Sequence, residues 1–79
     1  MHDPRTPEIL AWVEAMPLVE RLTVMHAMTF VFPLLKSDRT WKARMAAVRA
    51  ELKPTADELG DILIEANRIS ARLKLELAA

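Results

Sequence analysis

The chain has no cysteine and no tyrosine, and one glycine in 79 residues. Without cysteine there is neither a disulfide nor a thiolate metal site. A chain this small buries a limited core, and with no staple available oligomerisation is the common remaining supplement. One glycine leaves no phosphate-cradling loop and few of the turns that strand-rich folds need, so helices are favoured. Net charge is also missing: 11 basic residues balance 11 acidic ones, and no global field draws the chain to nucleic acid or membrane. Absence of cysteine fits a reducing compartment, and a cytoplasmic protein is expected. The N-terminal MHDPRTPE leads into no apolar run, so no secretory leader is expected.

The longest uncharged stretch is LTVMHAMTFVFPLL, Leu22 to Leu35. It is too short for a bilayer, which takes about 20 apolar residues, so no membrane span is expected. Val24, Met25, Met28, Phe30, Val31 and Phe32 point nearly all the way round a helix. A helix apolar on most sides is surrounded by other elements, and this one is predicted to be the centre of the fold.

The remaining elements follow from caps and breakers. Residues 1–5 read as a tail. Thr6-Pro7-Glu8 reads as a helix start, with Thr as N-cap and Pro at the first position. Ile9, Leu10, Trp12 and Val13 then form one apolar face until Pro17 halts the helix. Pro17 opens the second helix, whose apolar surface begins with Leu18, Val19 and Leu22, and Pro33 ends or kinks it. Ser37 or Asp38 caps a third, with Trp41, Met45, Val48 and Leu52 on one stripe. Thr55 and Glu58 form a capping box for the last. Its main stripe is Leu59, Ile62, Leu63, Ala66, Ile69, Leu73 and Leu77. The expectation is one all-α domain, a small four-helix bundle-like fold with helices at about 7–15, 17–32, 38–53 and 56–77. The last helix is long enough to overhang its neighbours by a turn or more.

No constellation for chemistry emerges. The histidines are His2 and His26, and a zinc site takes three or four ligands. His26, inside the apolar helix, is expected as a core or edge residue. Asp57, Asp61 and Glu65 share a helix face, but acids early in a helix complement its dipole, and the spacing is not a calcium loop. Met16, Met25, Met28 and Met45 are expected as core filling rather than as a soft binding surface. Neither metal nor cofactor is expected, and the chain reads as a non-enzyme.

Two surface features remain. From Lys36 to Lys53 stand six basic residues against two acids, leaving five bases against nine acids elsewhere. Arg39, Lys42, Arg49 and Lys53 project close together, and Trp41, which opens the helix, is available to stack beside them. Such a patch contacts phosphates, although cations also flank core stripes with their heads in water, or pair with acids on neighbouring helices. No helix-turn-helix signature accompanies it. The second feature is on the last helix. Ile64, Ala71 and Leu75 project at about 120–160° from Leu59 at the 3.6-residue period, beside Glu65, Arg68 and Arg72. A helix packed on one side needs one apolar line, so the second implies a partner. The leading expectation is a small interaction module that forms a homodimer and acts by binding another protein. Regulators, inhibitors and adaptors of this size include antitoxin-like and phage anti-CRISPR-like proteins. The alternative is a nucleic-acid-binding module using the basic face.

Overall fold

The computed structural model describes residues 6–78, and the expected tail at 1–5 lies outside the described residues. Helices α1 (Thr6–Glu14), α2 (Leu18–Val31), α3 (Arg39–Leu52) and α4 (Ala56–Ala78) follow in order, with a 3-10 turn at Pro33–Ser37 between α2 and α3. The all-α, four-helix reading holds. Helix α2 is the centre, packing against α1, α3, α4 and the 3-10 turn. Seven of its residues are buried, from Leu22 to Thr29. Towards its end the surround opens: Phe30, Val31 and Phe32 are half-buried rather than buried, and Val19 near its start is exposed. Apolar residues on all sides therefore mark its middle two turns, not its whole length.

Local chemistry explains the boundaries. Pro17 is the N-cap of α2 rather than its first residue, with ψ 156°, and its carbonyl accepts from Arg21 N at 2.7 Å. The Arg21 guanidinium then donates to the carbonyls of Glu14 and Met16, satisfying the end of α1 that no glycine caps. Pro33 stops α2 and enters the 3-10 turn, which the sequence reading did not anticipate. That turn buries Leu35. Asp38, not Ser37, caps α3 by accepting from Trp41 N at 3.0 Å. Lys53 closes α3 in the left-handed region at φ 50°, the conformation helix ends commonly adopt. The capping box of α4 is present, with Glu58 N donating to Thr55 Oγ1 at 3.1 Å and Thr55 N to Glu58 Oε1 at 3.0 Å.

Thr6 departs from expectation. Its hydroxyl makes no capping bond; the residue is buried and Oγ1 has no hydrogen-bond partner among the described residues. Trp12 also departs, pointing outward. The buried positions of α1 are Thr6, Leu10 and Val13, and Trp12 lies about 130° from the middle of that arc. Across α2 and α3, Trp41 is fully buried, and its indole N–H donates to Thr29 Oγ1 at 2.9 Å. The Thr29 hydroxyl donates in turn to the Met25 carbonyl at 2.9 Å. Met25 and Met28 fill the core, and Met16 and Met45 pack at its edge.

Helix α4 buries Ile62, Ala66 and Ser70. Leu59, Leu63, Ile69 and Leu73 of the anticipated stripe are half-buried and Leu77 is exposed. Ser70, absent from that stripe, meets the core because its hydroxyl is satisfied by the Asn67 carbonyl at 2.9 Å. Every residue from Lys74 to Ala78 is exposed. At 1.5 Å per residue, α4 is about 34 Å long and α2 about 21 Å. The molecule measures 35 × 24 × 22 Å, so the length of α4 alone matches its long dimension, and α4's last turn runs free of cover.

Candidate interaction surfaces

The outward face of α4 is built by helical spacing. Ile62, Ala66 and Ser70 turn to the core, which sends Ile64, Ala71 and Leu75 to the opposite side. Ile64 is 63% exposed and Leu75 is 75% exposed, and Ala71 between them is exposed. The structure thus brings the three anticipated residues into one solvent-facing line. Glu65, Arg68 and Arg72 are exposed beside it. Arg68 Nη1 lies 3.4 Å from Glu65 Oε2 within the same helix. An ion pair this exposed contributes little and exchanges partners readily. Asp61 and Arg72 have no ion-pair partner among the described residues. Asp57, Glu58, Asp61 and Glu65 occupy the first half of the helix, and Arg68, Arg72 and Lys74 the second, with one further acid, Glu76, in the last turn. The carboxylates do not converge: among the described residues no three acids or histidines form a metal cluster. No helix there is long and apolar enough to cross a membrane.

The basic face of α3 is divided by the fold. Arg44 points toward α1 and forms an ion pair with Glu14. Glu51, on the same side, lines with Leu10, Val13, Met25 and Val48 a cavity of about 100 Å³. Ligand sites are typically several times larger. Arg39, Lys42, Arg49 and Lys53 are exposed and have no ion-pair partner among the described residues. Trp41, considered as a stacking residue for this face, is in the core instead, because its indole N–H finds Thr29 there.

His26 is an edge residue, half-buried, with its ring centroid 6.4 Å from that of Phe30. Burial, and secondarily the charge of Arg49, hold its pKa below the ordinary imidazole value. The sequence reading did not place His26 against Phe30 and near Arg49. The signal available was their i, i+4 spacing on a helix whose stripe toward α3 runs through Met25 and Thr29. Trp12 and Leu34, 55% and 57% exposed, also went unmarked as surface residues. Compared with protein-family models, curated proteins and solved structures, the chain matches none.

Proposed function

We propose that this protein is a non-enzymatic interaction module that pairs with a second copy of itself through the outward face of α4, and that it acts by binding a protein target as a regulator, inhibitor or adaptor. The observation that carries this is the exposure of Ile64 and Leu75 on the side of α4 turned away from the core. A chain without disulfides gains stability by covering such a line. The division of charge selects the occupant and its direction. With two α4 helices antiparallel, Glu65 of one chain faces Arg68 of the other, and Asp61 faces Arg72. Parallel helices set like charges together. Rim charges of this kind fix orientation, while the apolar seam supplies most of the affinity.

The absence of cysteine makes the test direct. Arg68→Cys and Leu75→Cys are made separately and treated with a short bis-maleimide. In the antiparallel pair, position 68 lies near the two-fold axis and crosslinks. Position 75 lies opposite position 58, which separates the two copies of position 75 by about 25 Å along the helices, and it does not. Crosslinking at both positions indicates a parallel pair and contradicts the orientation; crosslinking at neither contradicts the pairing.

A further inference from the structure

We propose that the uncovered side of α3, together with His26 and Phe30 of α2, holds the backbone of a single-stranded nucleic acid. This face is independent of the outward face of α4 and uses none of its residues.

The cations are arranged as a track. Lys42 and Arg49 stand at i and i+7, within about 20° of one another around the helix and roughly 10 Å apart along it, and Lys53 follows at the C-cap. Arg39 extends the track at the start of α3. The helix's other charges are held or turned away from this track. Arg44 is held by Glu14, Glu51 lines the cavity toward α1, and Asp38 caps the helix through Trp41 N. Between the cations the surface residues are Ala46 and Ala50, both exposed, and small side chains let a chain of phosphates lie close to the helix.

The aromatic component comes from the register of α2 on α3. Trp41 Nε1 bonds Thr29 Oγ1, and Met45 Sδ lies 3.7 Å from the same oxygen. Phe30, the next residue, is therefore at the level of Lys42. His26, one turn earlier, is at the level of Arg49, whose charge it senses. Both rings are half-buried, so each is anchored on one side and open on the other. A cationic track flanked by anchored rings is how proteins take single strands without reading sequence: phosphates follow the charges and bases stack on the rings. The rings favour a single strand, whose unstacked bases are free to lie on them, over a duplex, whose bases are already stacked.

The test is fluorescence anisotropy with labelled single-stranded DNA and RNA of about 12 nucleotides, at salt from about 50 to 200 mM. We expect binding of either probe, with a log–log salt slope of roughly −2 to −3, for three to four phosphates at about −0.7 each. Lys42→Glu with Arg49→Glu should abolish binding while circular dichroism and solution mass stay as in the unaltered chain. Phe30→Leu, with every charge kept, should weaken binding about tenfold without changing the slope. On binding, the His26 ring followed by NMR should titrate at higher pH, since a phosphate at Arg49 offsets the charge that disfavours its protonation. No binding of either probe at the lowest salt overturns the proposal. So does equal competition by polyglutamate, which would reassign the face to an acidic protein.

Discussion

At the scale of single residues, one buried polar contact sets how α2 and α3 meet. Trp41 brings the largest side chain of the core and a donor that must be satisfied there. Thr29 satisfies it and donates its own hydroxyl hydrogen bond to the Met25 carbonyl. Thr29→Val keeps the volume and removes the acceptor, leaving the indole N–H buried and unpaired. The expected loss is about 1–3 kcal/mol, read from the urea midpoint at unchanged slope. A smaller loss would mean that water reaches Trp41. His26 gives a second prediction. Its folded-state pKa lies below the ordinary 6.5, so the folded chain favours the neutral ring. The stability this contributes is present above about pH 6.5 and is lost as pH falls through the lower folded value. The urea midpoint should begin to drop as pH falls towards and below about 6.5, and His26→Gln should flatten that drop. Glu58, held low first by the Thr55 backbone bond and then by the Thr55 hydroxyl, yields a separate loss, below the usual carboxylate range. The apolar pattern and the caps were readable from the chain, the Thr29–Trp41 pairing was not. A threonine in a helix carries no mark of which partner its hydroxyl meets, so Trp41 read equally well as a surface stacking residue.

Among the elements, α4 shows what sequence periodicity does and does not reveal. Its start was legible because a capping box is local chemistry, and its length because nothing interrupts it before Leu77. Its depth of burial was not. Leu59, Leu63 and Leu77 share a stripe with Ala66, but the neighbouring helices are shorter, and cover ends at Leu73. The 3-10 turn escaped notice for a related reason: Pro33-Leu34-Leu35 continues the apolar run of α2 in composition while ending it in geometry. Gly60 gives a prediction at this scale. It is in the first turns of α4 without a positive φ, and a Cβ there would meet nothing within 4 Å. Gly60→Ala should therefore stabilise the chain by about 0.5–1 kcal/mol through helix propensity alone. An unchanged or lowered urea midpoint would show that the position is covered, for instance by a partner that approaches the backbone closely.

For the molecule as a whole, the account rests on a helix with two apolar faces in a bundle that covers one. The inward face follows from Ile62, Ala66 and Ser70 meeting α2; the outward line of Ile64, Ala71 and Leu75 was already visible as spacing, and the fold leaves it in solvent. Light scattering after size exclusion, at tens of micromolar, reads the consequence directly. The account predicts about twice the 9.0 kDa chain mass, with Ile64→Glu combined with Leu75→Glu returning a folded monomer by circular dichroism. A monomeric mass for the unaltered chain at that concentration would contradict it.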